Sequence, residues 1–517
     1  MATSPDPGPR VYRGLNHREG IGWIAGMTPV QAFGLIGVCA PALIAMSRNQ
    51  WSAALSWAVV AAIVAVLIVV PIRGRPAFRW CADLVMFQTG VFMGWSLWQS
   101  RAAAGLAGDP GEPDLPGVLA RLEFPDGPEL RGTRICLIHD TAEGRWGATA
   151  TLTHSGVGML SDDQCERLAA RLGSMLVGLG HREVVDRVSL CVRTVPDDGT
   201  EYTVWRERHQ RRDAPALARR VTAEIDSDVA SVSVRTELFV TVSGTEDALR
   251  RPAKAAGGGI AGRAYALYRV LEGVADGLRG LGVTSVTWLS STGVAEAIKT
   301  GFNPAAAAGL SHRHLTNPAP DPDGGQPGSS TVGLPISQAG PALSPTPAAR
   351  AYHHDGYSSV AYAVQPPESG TIFGALGPLL AVRTAGERRT LAVHYEILSA
   401  AAGARVVKSD RFRNNVLVDA KAARGFTTTA IDTRRQRGAR DQEAAVAAGH
   451  AVIRYTVAAA ITVPAGWNVE DHAARLENDA SGRFRLLRLE LAQDSAFVAA
   501  ALPVGIGLPR QKRTFDT

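Results

Sequence analysis

The sequence predicts two structural parts: an N-terminal transmembrane α-hairpin, and an α/β (α+β) cytoplasmic body of repeated strand–helix–strand units in a ferredoxin-like arrangement. Three observations support this prediction. Two long apolar stretches stand close together before residue 73, strand-like and helix-like patterns alternate after residue 118, and a proline-rich segment divides this alternation in two. With 517 residues, the chain is also too long for a single core.

The apolar stretches are free of charge. No charged residue lies between Glu19 and Arg48, or between Arg48 and Arg73. Each window reaches the roughly 20 apolar residues that a helix needs to cross a bilayer. The transmembrane hairpin is therefore assigned to 28–72, after an N-terminal cytoplasmic segment at 1–27. A cleaved signal peptide is the alternative, but its apolar core would be shorter and a second apolar run would not follow so closely.

Arginines flank the hairpin on both sides, whereas its turn holds the single Arg48. The positive-inside bias then predicts a two-pass protein of the plasma (inner) membrane, with the N-terminus and the large C-terminal body in the cytoplasm. Segment 73–101 follows, with aromatic residues at intervals of three and four. This spacing favours an amphipathic helix at the membrane interface, and a third span or a bundle-packing helix is the alternative. The predicted membrane-interface residues are Arg73, Arg75, Arg79, Trp80, Trp95 and Trp98.

The rest of the chain is divided by composition. Prolines and glycines indicate linkers at 102–117 and 315–349, which separate a first α/β domain at 118–314 from a second at 350–508, with a basic tail at 509–517. Strands are predicted at 145–154, 184–195, 231–243, 283–289, 357–364, 389–397, 451–463 and 484–491. Helices are predicted at 161–178, 262–281, 371–381, 406–423, 435–448 and 469–479.

The sequence lacks the patterns of the common catalytic sites. No glycine-rich loop ends in Gly-Lys-Ser/Thr, so the phosphate-binding loop of nucleotide hydrolases is missing. Gly257–Gly262 matches G-x-G-x-x-G but does not directly follow a strand, which favours a flexible lead into a helix. The five cysteines form no Cys-x-x-Cys pair, which favours a reducing compartment. We predict no enzyme, no catalytic residue and no cofactor.

Two groups of histidines flank the proline-rich segment, and a metal site across it is the sharper interpretation. Because there is no cysteine partner and no helical His-x-x-x-His spacing, we favour ordinary loop histidines and predict no metal site. The residues are His312, His314, His353 and His354.

Two arginine clusters remain, and each is mixed with acidic residues. The plain interpretation is a solvated helix face. The sharper one is a docking surface for an acidic partner, a lipid headgroup or DNA, although the aromatic residues that single-strand binding needs are missing. The candidate docking residues are Arg206, Arg208, Arg211, Arg212, Arg434, Arg435, Arg437 and Arg440.

Several phrases of the sequence occur together in one known family. They are Arg73-Gly-Arg-Pro76 after the hairpin, Leu179-Gly-His-Arg182, Val192 to Gly199, Asp213-Ala-Pro-Ala-Leu-Ala-Arg219, Phe302-Asn-Pro-Ala-Ala-Ala307 and Tyr352-His-His-Asp-Gly-Tyr-Ser358. With them the chain resembles the actinobacterial PrgI-like integral membrane proteins of type IV secretion and conjugation clusters. The resemblance covers most of the chain, and none of these motifs has an assigned catalytic role.

The resemblance implies a VirB-type hairpin subunit fused to a body similar to the N-terminal, non-motor part of the secretion ATPase. It implies a structural inner-membrane component that anchors a separate cytoplasmic ATPase to a translocation channel. The expected partners are that ATPase, other membrane channel subunits of a multi-subunit complex and the lipid bilayer, with DNA met only indirectly. One alternative is an EccE-like membrane subunit of a type VII secretion complex. Another is a membrane-bound enzyme with an unrecognised site.

Overall fold

The computed structural model describes residues 29–508, with gaps at 70, 73–74, 131, 183, 197–205, 207–208, 210, 212, 231–233, 317–332, 346–347, 368–369, 400, 409–429 and 450. Its helices are α1 (Pro29–Ser47), α2 (Trp51–Val69), α3 (Ala77–Phe92), α4 (Asp162–Arg182), α5 (Ala216–Ala230), α6 (Glu246–Ala255), α7 (Gly259–Arg279), α8 (Ser291–Phe302), α9 (Ala306–Thr316), α10 (Gly377–Leu380), α11 (Ala430–Ala447), α12 (Val469–Ala480) and α13 (Gln493–Ala501).

The strands fall into short pairs and one large sheet. The short ones are β1 (Pro71–Ile72), β2 (Arg75–Pro76), β3 (Trp98–Gln99), β4 (Leu122–Glu123), β5 (Asp126–Leu130), β6 (Thr133–Cys136), β7 (Ile138–Asp140), β12 (Leu343–Ser344) and β13 (Tyr352–His354). The longer ones are β8 (Arg145–His154), β9 (Arg187–Pro196), β10 (Val234–Thr245), β11 (Val283–Trp288), β14 (Tyr357–Gln365), β15 (Arg388–Ile397), β16 (Ile453–Pro464) and β17 (Arg485–Arg488).

The N-terminal part corrects the sequence prediction. Helices α1 and α2 pack against each other, and their described side chains cover 34–47 and 51–67. In the described part of the chain, no helix meets the length and apolarity that crossing a membrane requires. This finding contradicts the expected two-pass topology and the inner-membrane location, and we correct both.

The aromatic segment after the hairpin is a helix only in its first part. Helix α3 ends at Phe92, and turns lead from it to β3. Strand β3 pairs with β12, where Leu343 lies opposite Gln99. This pairing joins the N-terminal helices to residues inside the segment predicted as the second linker.

Four strands and two helices form a first unit of the body. The strands lie side by side in the order β9-β10-β8-β11, with every neighbour antiparallel. Helix α4 connects β8 to β9, and α7 lies between β10 and β11. Across the sheet one therefore meets the second, third, first and fourth strand of the unit. Each of the two helical connections passes over one intervening strand.

A second unit repeats this order. Its strands lie in the order β17-β14-β16-β15, again antiparallel, which is fourth, first, third and second in chain order. The short helix α10 lies between β14 and β15, and α12 connects β16 to β17. The structure confirms the α+β class. The domain boundaries drawn from composition stay a prediction.

The two units share one sheet because their second strands, β9 and β15, pair with each other. Thr194 lies opposite Arg389 at one end of this pair, and Arg187 lies opposite Glu396 at the other. The eight long strands thus form one continuous surface, which β13, β7 and β4 extend. One set of apolar side chains faces α4 and α7 in the first unit and α12 in the second.

The opposite face of the sheet is covered by α8, α13 and the chain after α13. Alanines of β14 and β16 pack on alanines of α13 in a close, small-residue contact. Cys191 of β9 and Ala392 of β15 pack on Ala297 of α8. Between these contacts the sheet carries polar side chains that are fully buried, among them Thr149, Thr241 and His394. This polar layer also contains the buried arginines Arg193 and Arg388.

Candidate functional site

Two long insertions carry the arginine clusters. We call residues 197–233, between β9 and β10, the first arm, and residues 398–452, between β15 and β16, the second arm. Each arm joins the second strand of its unit to the third. Because β9 and β15 are antiparallel neighbours, the two arms leave the sheet from opposite ends of the central strand pair.

In the first arm, the structure describes two of the four candidate arginines. Arg206 is half-buried, and Arg211 is exposed and pairs with Asp213, with 2.9 Å between Nη2 and Oδ2. The hydrogen bonds from Arg211 hold the pKa of Asp213 below its ordinary value. Outside the described residues lie Arg208 and Arg212.

In the second arm, the candidates lie on α11. Arg437 and Arg440 are exposed near its middle. Arg434 and Arg435 belong to the same helix, and their side chains lie outside the described set. The structure therefore places the two predicted clusters at equivalent positions of the two units, on arms that leave opposite ends of the central strand pair.

The tryptophans expected at a membrane interface have three different surroundings. Trp80 in α3 is half-buried, and Trp95 is 69% exposed in the turn after it. Trp98 lies in β3 and donates from Nε1 to the carbonyl of Pro341 at 3.3 Å. Of the arginines expected there, Arg73 lies outside the described residues, and so do the side chains of Arg75 and Arg79.

A second feature of the first arm was missed by the sequence analysis. On α5, Leu217 is 66% exposed, Val221 45% and Ile225 54%. These residues are spaced by four, so they lie on one side of the helix. The spacing is visible in the sequence and predicts an apolar stripe on this helix.

Two arginines of the polar layer bind the C-terminal end of α8. Arg388 donates from Nη1 to the carbonyl of Thr300 at 2.6 Å, and its Nη2 donates to the carbonyl of Gly301. Arg193 donates from Nη2 to the carbonyl of Ala297 at 2.8 Å. Both side chains are buried. A cation is favourable at a helix C-terminus because the last carbonyls have no partner within the helix.

Arg193 also connects α8 to the rest of the layer. Its Nε donates to the carbonyl of Ala501, the last residue of α13, at 2.8 Å. Its guanidinium lies 4.8 Å from the centre of the Phe239 ring, and Glu237 is 3.6 Å away. Burial and the charge of Arg193 lower the pKa of Arg388 to about 9. These arginines thus hold two helix ends against the sheet.

The histidines beside the proline-rich segment are bonded to serines. His353 Nδ1 lies 2.8 Å from Ser358 Oγ, and the buried His354 Nε2 lies 2.8 Å from Ser359 Oγ. Burial lowers the pKa of His354 to about 3, so its ring is neutral at neutral pH. Among the residues that the structure describes, no group of three or more ligands could hold a metal ion. His312 lies on α9, and the side chain of His314 lies outside the described set.

A buried ion-pair network ties β15 to α12. Glu387 accepts from Arg389 Nε at 2.6 Å through one oxygen, and its other oxygen lies 2.8 Å from His472 Nδ1. Arg389 also donates from Nη1 to Asp479 at 2.6 Å. Trp467 stacks on the His472 ring, with 5.2 Å between the ring centres. Glu387 and Asp479 therefore both accept from Arg389, and the indole of Trp467 covers the ring of His472.

A group of charged side chains lies at one end of the first unit, beside residues 504–506. Arg145 pairs with Asp186, and Arg187 lies 3.1 Å from Glu143. Burial alone would raise the pKa of Glu143, but Arg187, Arg121 and Arg145 more than offset that effect and hold it below its ordinary value. A small cleft opens here, lined by Asp140, Arg145, Gly147, Arg187, Thr241, Ser243 and residues 504–506.

The glycine run that matches a dinucleotide motif lies between two helices. Gly257, Gly258 and Gly259 have positive φ angles of 103°, 74° and 63°, and they form the turn between α6 and α7. Only glycine adopts three such angles in succession without strain. The run starts a helix after another helix, which is not the strand-to-helix turn that a dinucleotide site needs.

The described charged groups thus serve two purposes. Those in the polar layer and the ion-pair networks bond to backbone carbonyls and to each other, whereas those of the two arms are largely exposed. Groups of the first kind hold the body together. The sequence matches no protein-family model and no curated protein.

Proposed function

We propose that this chain is a non-catalytic scaffold subunit of a secretion or conjugation machine, which binds a separate ATPase through its two arms. The observation that carries the proposal is the placement of the arms. Both are insertions in the same hairpin of their units, both carry arginines, and they leave opposite ends of the β9-β15 pair. A large partner can therefore be held at two points across the sheet.

The proposed fold supports this role. We infer that each unit follows the ferredoxin-like β-α-β-β-α-β connectivity, because its strands lie in the order fourth, first, third, second, or the reverse. A joined pair of such units is a rigid platform, since its central strands are held by backbone hydrogen bonds along their whole length. Rigid elements position binding groups more reliably than loops do.

The charge of the arms indicates the chemistry of the partner. Arg437 and Arg440 are exposed, and Arg211 is exposed in a surface pair with Asp213. An acidic surface can meet these arginines at little cost, because an exposed ion pair contributes little to stability. Charges at an interface rim mainly speed association and select partners, and salt weakens them. Binding is expected to fall steeply as the salt concentration rises. Duplex DNA is expected to bind far more weakly than the ATPase.

The test is the affinity between the purified chain and a purified secretion ATPase from the same organism. We expect measurable binding, and we expect Arg437→Glu/Arg440→Glu to weaken it by about tenfold. The matched control is Arg250→Glu/Arg279→Glu, which reverses two exposed arginines of α6 and α7, each of which pairs with an acid of its own helix. An ATPase that does not bind, or equal losses in both variants, would contradict the proposal.

A further inference from the structure

The two units of the body match each other strand by strand. In the first unit the first residue of β10, Val234, lies opposite the last residue of β9, Pro196. In the second unit Ile453 of β16 lies opposite Ile397 of β15 in the same way. The first strands keep this match, because the sixth residue of β10 faces the seventh of β8, and the sixth of β16 faces the seventh of β14. These six strands therefore have the same register in both units.

An approximate two-fold axis relates the two units. Strands β9 and β15 each have ten residues, and their fifth residues, Cys191 and Ala392, lie opposite each other. When equivalent residues of two antiparallel strands are paired, the two-fold axis passes between them. A feature at one end of the first unit therefore has its counterpart at the opposite end of the second unit.

One such feature is an exposed apolar tip on the connection that follows the first strand of each unit. In the first unit the apolar tip is Met159 and Leu160, which are 100% and 37% exposed. In the second unit it is Ile372 and Phe373, which are 44% and 41% exposed. Leu160 and Ile372 are each the sixteenth residue from the start of their first strand. The two apolar tips are thus equivalent in position.

The apolar tip and the arm of each unit lie at the same end of the sheet. The first and second strands of a unit both run antiparallel to its third strand, so these two strands end on the same side. The apolar tip follows the first strand, and the arm follows the second. Exposed arginines are present on both arms, Arg211 on the first and Arg437 and Arg440 on the second.

We propose that each unit carries one docking site, made of its apolar tip and its basic arm, and that one chain binds two protomers of the ATPase. This inference rests on the proposed function, which supplies the partner. An apolar centre with a charged rim is the usual composition of a protein interface, and the arginines require acidic groups around the apolar contact of the partner. Because the axis repeats the site, the same surface of the partner is bound twice.

The experiment is isothermal titration calorimetry of the full chain with a purified secretion ATPase from the same organism. The wild type is expected to saturate at two ATPase protomers per chain. Met159→Glu and Ile372→Glu are each expected to lower this ratio to one, because each places a carboxylate in one apolar contact with an acidic rim. The double variant Met159→Glu/Ile372→Glu is expected to weaken binding by at least about tenfold.

Tyr265→Glu is the matched control, since it places the same charge on a 43% exposed apolar side chain of α7, and it is expected to keep the ratio of two. Unchanged circular dichroism checks that each variant folds. A wild type that saturates at one protomer, single variants that keep a ratio of two, or an equal loss in Tyr265→Glu would overturn the inference and leave the proposed function standing. Absence of any binding by the wild type would contradict the proposed function and this inference with it.

Discussion

Arg388 and Arg193 bind the same helix end from two neighbouring strands, with Arg388 on the carbonyl of Thr300 at 2.6 Å and Arg193 on that of Ala297 at 2.8 Å. The two strands belong to different units of the body. The end of α8 is therefore a common attachment point for both units, and it lies above the line at which they join.

Removing the guanidinium of Arg388 is expected to destabilise the body strongly. Arg388→Met would leave the carbonyls of Thr300 and Gly301 buried without donors, at a cost of about 2–4 kcal/mol in the free energy of unfolding. The measurement is urea denaturation followed by circular dichroism. Arg279→Met, which removes an exposed arginine from α7, is the control and is expected to cost less than about 1 kcal/mol. Equal stabilities of the two variants would contradict the role assigned to Arg388.

Two buried histidines are expected to make the fold sensitive to acid. Burial lowers the pKa of His354 to about 3 and that of His394 to about 4, from an ordinary value of 6.5. Between those values the unfolded chain binds protons that the folded chain does not, so stability is lost as the pH falls below about 6.5. At pH 5 each histidine is expected to cost about 2 kcal/mol relative to pH 7.

The measurement for this prediction is the free energy of unfolding from urea titrations at pH 7 and pH 5. His354→Gln is expected to be less stable at pH 7, where it disturbs the bond to Ser359, but to lose about 2 kcal/mol less on acidification. The wild type, titrated at the same two pH values, supplies the reference. A loss in His354→Gln as large as that of the wild type would show that this ring does not carry the effect.

Neutralising Glu387 is expected to break the network beneath Trp467. Glu387→Gln removes the charge that Arg389 and His472 share at 2.6 and 2.8 Å, and the cost of leaving a buried arginine less well paired is about 3 kcal/mol. Arg383→Ala, which removes an exposed partner of Asp479, is expected to cost less than about 1 kcal/mol. Thermal unfolding gives the decrease in melting temperature of each variant. A larger decrease for Arg383→Ala than for Glu387→Gln would refute the prediction.

Adding one methyl group at Gly244 is expected to be damaging. A Cβ at this position would collide with the backbone carbonyl oxygen of Val184, which cannot move without displacing the start of β9. Gly244→Ala is expected to destabilise by about 3 kcal/mol. In contrast, a Cβ at Gly178 in α4 meets open space, so Gly178→Ala is expected to stabilise by up to about 1 kcal/mol. Denaturant titration of both variants measures the sign of each change in the free energy of unfolding.

The alternating pattern of the sequence located most of the sheet. The strand predicted at 145–154 is β8 itself, and the prediction at 389–397 differs from β15 by one residue. These strands are readable because one face is apolar and the other polar or small, which gives a period of two. The register between β9 and β15, which makes one sheet of two units, has no local signal because it depends on residues about two hundred positions apart.

Other elements were missed for identifiable reasons. Helix α13 is buried from Ala496 to Ala501 and rich in alanine, so it shows no amphipathic period. In the segment predicted as helix 371–381, only α10 at Gly377–Leu380 is helical, since Pro378 suits only a first turn and a tight connection follows. The buried arginines could not be predicted either. An arginine in a strand gives no local signal that tells whether its side chain points to water or to a helix end.

The shared sheet also bears on what each half of the body could do alone. Strands β9 and β15 would each be an open edge if the units were separated, with a ten-residue row of backbone donors and acceptors facing water. Such edges recruit other strands and lead to aggregation. In the intact chain these two edges pair with each other, so neither is open to another strand. A chain cut between the two units is therefore expected to precipitate rather than yield two soluble halves.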